Sequence, residues 1–588
     1  MATAQPKVVY RCVESHEPLS ILSIELSPEA FVFDLVAAIK EETHCPSEVL
    51  RVYKFDQPLA GRPFPDRVRE FDPRSKNSLD WTSQLSSYFG GPPNTDNLHI
   101  IIVRPSGVYK RSRSSSSDLP LQKRQKRIEE LLPQKAPSTL AQPAVFKVEQ
   151  EKNDLFDFNR PSRPDSIPIT LLHPVFGQFV DDSMRLTPAA EDYNFAIALR
   201  DVMAQCYENE ASRVDAFRRV FKQHYGIVLG QTGEPLSNSI TDGNYRVKAF
   251  CAVTGQANNE IGSSNADPYL RAGIHYAHFV KSMKATLKGT VLPCLIVYCF
   301  GQCFRPSLGA LINTLFDAGP WLGIAGAAYT GVVRQDVLTP VLPLIWEPRD
   351  EIMITSAARI FGALKTAISR LHSYYVVQLP LILSLESKLP GVEYPYPTVY
   401  RCLTTAVDIS FRYIGVIPHK LIFKGLTSSE EPIIIKFTRR YSKQAHIYCA
   451  DRGVSPRLRG YEEIPGAWHM VIMDMLDPAL YFSLDDARDN LHEHLGLIQS
   501  TVEDMICSLH GGGFVHGDLR DANFLVAVGG LIDVKLIDFD WAGPVGEVRY
   551  PPNVNRVTVR RPAGVFDGEL IEKEHDLTMI GFMFHNKS

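Results

Sequence analysis

The segment His516-Gly517-Asp518-Leu519-Arg520-Asp521-Ala522-Asn523, followed by Leu536-Ile537-Asp538-Phe539-Asp540-Trp541, decides the fold of the last third of this 588-residue chain. Asn523 comes five residues after Asp518, and Asp538 follows the mostly apolar run 534–537. Phosphoryl transfer needs a carboxylate that orients the attacking hydroxyl, and further oxygen ligands for Mg²⁺. The spacing therefore predicts Asp518 as the catalytic carboxylate and Asn523 and Asp538 as metal ligands.

Either aspartate alone has a simpler interpretation, because loop aspartates commonly cap turns or end strands. A turn cap does not explain the order of the three signals, in which a histidine precedes Asp518, an asparagine follows it and an apolar run leads into Asp538. This order is typical of the protein-kinase fold. It predicts ATP as the phosphoryl donor and Mg²⁺ as its metal.

An upstream strand carries the residue expected to hold the ATP phosphates. The apolar run 433–437 contains Lys436 near its end, where an ammonium group would reach the α and β phosphates. A lone lysine on such a strand is otherwise a solvent-facing edge residue. The helix expected after it lacks the acidic residue that usually pairs with the lysine, and Gln444 stands at that place.

The rest of the nucleotide site is predicted from two further segments. A hairpin over 411–423 would cover the nucleotide without a glycine-rich loop, and Gly415 is its candidate contact. The strand and hinge over 468–476 would bind adenine through their backbone, at Asp474 and Leu476. Arg520, two residues after the catalytic carboxylate, would steady the γ-phosphate, which favours a protein acceptor.

These segments together resemble the fungal-type protein kinase domain over 386–588. The resemblance implies a two-lobed domain with a short large lobe that transfers phosphate from ATP to protein Ser/Thr hydroxyls. Two residues depart from the usual pattern: Gly517 replaces an arginine, and Asp540 replaces the glycine after Asp-Phe. A catalytically weak scaffold that binds protein or nucleic acid is an alternative. A small-molecule kinase of the aminoglycoside or choline kinase type is another, because those enzymes share His-Gly-Asp and Ile-Asp-Phe.

The first hundred residues predict a small mixed sheet. Alternating apolar runs at 8–13, 19–26, 50–55 and 99–103 indicate strands, and 32–40 has helical spacing. The stretches 50–55 and 98–105 are similar to the ubiquitin-like header of Crinkler effectors of oomycetes and fungi. This resemblance covers 1–106 and implies a secreted effector that acts inside a host cell; any ubiquitin-like interaction module would be the plainer interpretation.

The stretch 107–165 is rich in Ser, Pro, Lys and Arg and predicts a disordered linker. Two basic clusters at 110–113 and 123–127 predict binding to a nuclear import receptor or a contact with nucleic acid, and a solvated basic linker is the plainer alternative.

The region 166–385 predicts a third globular domain. Helices are expected over 193–207 and 211–225, and buried strands over 245–253 and 292–300. This region resembles the restriction-endonuclease-like domain of Crinkler–kinase fusions. Gln256 and Asn258 stand where such a nuclease carries an acid and a lysine, which leaves Asp242 and Glu260 as possible metal ligands. A degenerate nuclease follows, which could bind nucleic acid without cleaving it.

Composition sets the remaining bounds. The net charge of −4 gives no general reason to expect nucleic acid or membrane as a partner. The ten cysteines lack paired spacings, as is usual for reduced thiols. The first residues lack the apolar core of a signal peptide, and no apolar window reaches the length of a membrane span. The sequence thus predicts a soluble nuclear or cytoplasmic protein with a multidomain α+β fold.

Overall fold

The computed structural model of the chain divides into two compact units, Met1–Ser114 and Ser115–Ser588. The residues it describes are 8–14, 21–26, 35, 39, 51–59, 88, 98–103, 136–153, 155–160, 166–205, 207, 210–230, 243–258, 266–283, 289–300, 320–384, 392–417, 419–478, 480–488, 491–527 and 532–584. The basic clusters at 110–127, Asp242, Glu260 and the side chains of Gln256 and Asn258 lie outside this set.

The first unit contains a four-stranded mixed sheet. Its strands, in sheet order, are Ile21–Leu26, Val8–Glu14, Leu98–Val103 and Arg51–Leu59. The two central strands run parallel, and the outer strands pair with them antiparallel. The four predicted strands are confirmed, and the predicted helix over 32–40 lies largely outside the described residues.

The second unit begins with a seven-stranded sheet. Its strands are, in order, Phe156–Asp157, Val333–Val337, Trp321–Tyr329, Cys294–Phe300, Phe250–Asn258 and Gly243–Val247, with Leu342–Pro343 pairing beside Trp321–Tyr329. The strand Cys294–Phe300 is apolar, and its residues 294–299 are all buried, as is typical of a central strand that is covered on both faces. A turn at Lys248, with a φ of 54°, divides the predicted single strand 245–253 into a hairpin.

Helices surround this sheet. They are Pro137–Leu140, Pro143–Asn153, Ile169–Leu172, Pro174–Arg185, Ala190–Met203, Glu210–Tyr225, Pro268–Ser282, Glu351–Ser373 and, after a π-helical turn, Leu379–Ser384. The predicted helices at 193–207 and 211–225 are confirmed within a few residues. The helical run Glu351–Ile382 is long and apolar enough to cross a membrane by length and composition alone, and half of its most apolar window is buried in the core.

The predicted linker 107–165 is wrong in its second half. Residues 137–153 are helical, and Phe156–Asp157 forms the edge strand of the seven-stranded sheet. Leu140, Phe146 and Phe158 are each about fully buried. The apolar residues after 136 therefore outweigh the polar composition of the stretch as a whole.

The C-terminal region consists of two groups of elements, the amino lobe and the carboxyl lobe. The amino lobe is a six-stranded sheet with one helix, Lys443–Asp451; in sheet order the strands are Val399–Arg401, Asp408–Ile417, Ile422–Thr427, Pro432–Thr438, Trp468–Asp474 and Leu458–Ile464. The carboxyl lobe contains helices Leu484–Ala487, Leu495–Gly511 and Lys573–Phe584 and short strands Tyr481–Ser483, Phe514–Val515, Phe524–Ala527, Val534–Leu536 and Gly543–Pro544.

Two large cores stabilise the second unit. One runs without a break from the helices and strands of 140–379 into the amino lobe, where it includes Phe423, Ile433 and Ile472. The other lies mainly in the carboxyl lobe, where it includes Val502, Leu509 and Phe539, and it also takes in Ala445 and Cys449 of the amino-lobe helix Lys443–Asp451. The predicted catalytic residues lie where these two cores meet.

Candidate active site

The catalytic loop is held by a buried carboxylate. Asp576, which is fully buried, accepts hydrogen bonds from the backbone N–H groups of His516 and Gly517 at 2.8 Å each, and His510 Nε2 lies 3.0 Å from it. Gly517 has a φ of 81°, and a Cβ there would lie 2.8 Å from Ile571 Cδ1. The departure from arginine at this position therefore follows from a left-handed, crowded backbone that favours glycine.

Asp518 lies at the centre of a set of polar contacts. Arg561 Nη2 donates to its Oδ1 at 2.7 Å, and Arg520 Nε lies 3.2 Å from its Oδ2. Asn523 Nδ2 donates to the Asp518 backbone oxygen at 2.8 Å and reaches Oδ2 at 3.3 Å. These contacts fix the orientation of the carboxylate, and each oxygen keeps a lone pair for a further donor.

Asn523 presents an unused oxygen to the site. The side chain is fully buried, and its Oδ1 accepts no hydrogen bond from any residue that the structure describes. A buried amide oxygen without a donor is costly unless a ligand or a cation completes it. Its backbone oxygen accepts from Ile537 N at 3.0 Å, which ties Asn523 to the residue before Asp538.

Lys436 and two aspartates join the lobes. Lys436 Nζ lies 2.6 Å from Asp538 Oδ1 and 2.6 Å from Asp540 Oδ1, and its side chain is only 8% exposed. Burial alone would lower the pKa of the Lys436 ammonium, but the two carboxylates outweigh burial and raise that pKa. Burial likewise favours the neutral form of Asp538, yet Lys436 lowers the pKa of this carboxyl to about 2. Burial raises the pKa of Asp540 to about 6.

His446 packs the Asp-Phe turn against the amino lobe. Its ring stacks on Phe539 with centroids 4.7 Å apart, its Nε2 lies 2.8 Å from Pro456 O, and its Nδ1 lies 2.6 Å from the Tyr441 hydroxyl. Burial lowers the pKa of His446 to about 4, so the ring is neutral near pH 7. This contact holds Phe539 inward and leaves Asp538, with a φ of 72°, facing Lys436.

The other predicted nucleotide contacts lie along the amino-lobe sheet. Gly415 stands at a bulge in the hairpin, with open space where a Cβ would be. Asp474 pairs with Ile433 of the neighbouring strand, and Ile433 comes three residues before Lys436. The Asp474 carboxylate binds Arg459. Leu476 is half-buried just beyond that strand. The Asp474 backbone N–H donates to Arg457 O at 3.0 Å, and the adenine contact at Asp474 and Leu476 stays a prediction.

Two contacts in the site were not predicted from the sequence. Gln444 is exposed and does not contact Lys436, whereas Asp540 does. Arg561, whose side chain is 4% exposed, reaches Asp518 from a segment with no fixed spacing to the catalytic loop. The contact between Asp540 and Lys436 could have been predicted from the acidic residue that follows Asp538-Phe539. No sequence signal distinguishes Arg561 from the arginines around it.

In the middle region the described residues offer no comparable site. Gln256 and Asn258 lie on the strand Phe250–Asn258, opposite Tyr298 and Phe300 of the neighbouring parallel strand. Within the described ranges, no three His, Cys, Asp or Glu side chains come close enough to hold a metal ion. The nuclease resemblance stays a prediction.

Comparison with known proteins finds a family match for the N-terminal part. Residues 10–103 match the Crinkler effector protein N-terminal domain. No curated protein matches the chain. Of the 573 chains of solved structures that match, one is the kinase PK-1 of Cydia pomonella granulovirus, with 17% identity and a TM-score of 0.25. That match covers 29% of this chain and 65% of the viral kinase, and a likeness this distant does not bear on the chemistry of the site.

Proposed function

We propose that the C-terminal region transfers the γ-phosphoryl group of ATP, with Mg²⁺, to a protein Ser/Thr hydroxyl, as the fungal-type kinase resemblance implies. The observation that carries the proposal is the buried, donor-free Oδ1 of Asn523 next to Asp518, in a site that Lys436 and Asp538 close from the other side. An asparagine oxygen and an aspartate carboxylate are the hard ligands that Mg²⁺ prefers.

Each residue of the site has a role that its contacts support. Asn523 and Asp538 would hold Mg²⁺, which would neutralise charge on the transferred phosphoryl group. Lys436 would bind the α and β phosphates, and Arg520, with its 39% exposed side chain, would meet the γ-phosphate. Asp518 would orient the acceptor hydroxyl through the lone pairs that Arg561 and Asn523 leave free. Positioning and charge neutralisation are the main sources of rate in this reaction.

The N-terminal domain supports a wider biological proposal. Its match to the Crinkler effector N-terminal domain is consistent with a protein that acts inside a host cell. We propose that the kinase-like region modifies a host protein there, and that the basic stretch 110–127 provides nuclear import.

The proposal is tested by transfer of labelled γ-phosphate from ATP to casein or myelin basic protein, and to the chain itself. We expect Asp518→Asn and Lys436→Met each to lower transfer by at least a hundredfold, since each removes a group that orients a reactant. Asp408→Asn is the matched control, because this exposed amino-lobe carboxylate forms one ion pair among the described residues, with Arg401 at 3.8 Å. Equal transfer by wild type and Asp518→Asn would refute the assignment.

A further inference from the structure

Lys436 lacks the partner that the helix after its strand usually supplies. The helix Lys443–Asp451 has no acidic residue in its first turn, and Gln444 is exposed. A buried ammonium without a lasting partner would be costly and poorly placed. The two carboxylates that do contact it, Asp538 and Asp540, both come from the segment of the other lobe.

Asp540 is anchored to the strand that carries Lys436. Its Oδ2 lies 3.1 Å from Thr438 Oγ1, whose single proton is shared with Arg440 O at 2.9 Å, while its Oδ1 lies 2.6 Å from Lys436 Nζ. Lys436 and Thr438 are two positions apart on the strand Pro432–Thr438, so their side chains leave the same face. One carboxylate thus bridges two neighbouring side chains of this face. The backbone hydrogen bond from Ser442 N to Phe539 O, at 3.0 Å, holds the bridging segment next to the start of the helix Lys443–Asp451, which follows the strand.

Once Mg·ATP binds, the two carboxylates would have different partners. Asp538 is the residue assigned to the metal, and a carboxylate that binds Mg²⁺ interacts less with the lysine. Asp540 also contacts Thr438 and can keep its position next to Lys436. The single positive charge of Lys436 then keeps one carboxylate partner, and its orientation toward the phosphates is preserved.

We propose that Asp540 is the positioning residue of Lys436, in place of the absent helix carboxylate. The inference deepens the proposed function and rests on it in one respect only, that Lys436 binds ATP phosphates. It also explains two departures from the kinase pattern by one contact: the missing acidic residue on the helix, and the acidic residue in place of glycine after Asp-Phe.

The first part of the test needs no nucleotide. In Lys436→Met, Asp538 and Asp540 are left as two buried carboxylates without their cation, which is strongly destabilising. At pH 8 we expect Lys436→Met/Asp540→Asn to melt about 3 °C above Lys436→Met, because the second change removes one of those charges. Asp408→Asn, added to Lys436→Met, should give no such rescue. A double variant that melts no higher than Lys436→Met would overturn the Lys436–Asp540 pairing whether or not the protein is a kinase.

The second part measures the KM for ATP and the kcat of phosphate transfer. We expect Asp540→Asn to raise the KM for ATP about tenfold, and Asp540→Glu to restore it to within about threefold of wild type. In the Lys436→Met background, Asp540→Asn should raise that KM no further, because the residue acts through the lysine. An unchanged KM in Asp540→Asn, or an effect that persists in full without Lys436, would overturn the positioning role.

A third outcome would assign Asp540 a different role. If Asp540→Asn raised the Mg²⁺ concentration needed for half-maximal transfer and left the KM for ATP unchanged, the carboxylate would be a metal ligand and the proposal would be wrong. If the melting rescue appeared but wild type transferred no phosphate, the proposed function would fail while the contact between Lys436 and Asp540 stood.

Discussion

The amino lobe and the carboxyl lobe of the C-terminal region bury most of their apolar side chains in different hydrophobic cores. The amino-lobe sheet shares its core with the middle region, whereas the second core lies mainly in the carboxyl lobe and takes in the amino-lobe helix Lys443–Asp451. The candidate active site lies between them, with Lys436 on one side and Asp518 on the other. The difference indicates that the middle region is structurally part of the amino lobe, and that the strand carrying Lys436 depends on it for its stability.

Specific contacts support this view of the amino lobe. The Trp468 indole Nε1 lies 3.0 Å from Thr170 Oγ1, and both groups are buried. Tyr396 N donates to Leu171 O at 2.8 Å just before the first amino-lobe strand. Gly466 N donates to Asp181 at 2.8 Å. A hairpin tip of the amino lobe, at 464–468, is thus docked on the helices Ile169–Leu172 and Pro174–Arg185.

The largest effect should come from removing the middle region. We expect a fragment of residues 386–588 to lack cooperative unfolding, because Phe423, Ile433 and Ile472 lose their apolar neighbours, whereas 115–588 should unfold cooperatively. Urea denaturation followed by near-ultraviolet circular dichroism checks this. A fragment 386–588 that unfolds with the same midpoint as 115–588 would break the comparison between the lobes.

A single methyl group at the docking contact should have the next largest effect. An alanine Cβ at Gly177 would lie 2.5 Å from the backbone oxygen of Pro465, which cannot move aside as a side chain can. We expect Gly177→Ala to lower the free energy of unfolding by about 2 kcal/mol. The matched control is Gly581→Ala in the helix Lys573–Phe584 of the carboxyl lobe, where the space is open and a gain of about 0.5 kcal/mol is expected. Loss of stability in both variants would remove the distinction.

Acid should weaken the contact between the lobes through His446. The folded pKa of about 4 lies below the ordinary value of 6.5, so the stability that depends on the neutral ring is present above pH 6.5 and is lost as the pH falls toward 4. Between pH 7.5 and pH 5 we expect this residue to account for about 2 kcal/mol of lost stability. His446→Gln should reduce the decrease by that amount in urea titrations at the two pH values. An identical decrease in wild type and variant would show that the ring does not titrate in this way.

The smallest expected effect is that of one hydrogen bond. Trp468→Phe should lower the free energy of unfolding by about 1 kcal/mol, because Thr170 loses its buried donor. Thr170→Val in the same background should cost little more, since no unsatisfied polar group then remains. Additive losses in the double variant would show that the two side chains do not interact.

The proximity of the predicted site residues could be foreseen because their signals are local, whereas their catalytic roles stay a prediction. The spacing of Asp518, Asn523 and Asp538, and the lysine on an apolar strand, reflect short-range geometry that the sequence carries directly. The pattern also contained Gly517, although its reason, a left-handed backbone beside Ile571, appears only in the structure.

The contacts that complete the site were not predictable in the same way. Arg561 meets Asp518, and Asp540 meets Lys436, across separations in sequence that only the tertiary fold sets. The shared core of the middle region and the amino lobe was not predictable either, because it too is set by the tertiary fold. The helices over 137–153 were missed for a different reason. The average composition of 107–165 is polar, and it conceals a few apolar residues, such as Phe146, that are buried in a core.

A thermal-shift titration with ATP and Mg²⁺ tests the central claim most directly, because it needs no knowledge of the acceptor. We expect the melting midpoint of the wild type to rise with ATP concentration only when Mg²⁺ is present, as binding to the folded state requires. In Asp538→Asn the Mg²⁺-dependent rise should disappear. A wild-type midpoint that ignores millimolar Mg·ATP, or an equal rise in Asp538→Asn, would contradict the assignment of the site.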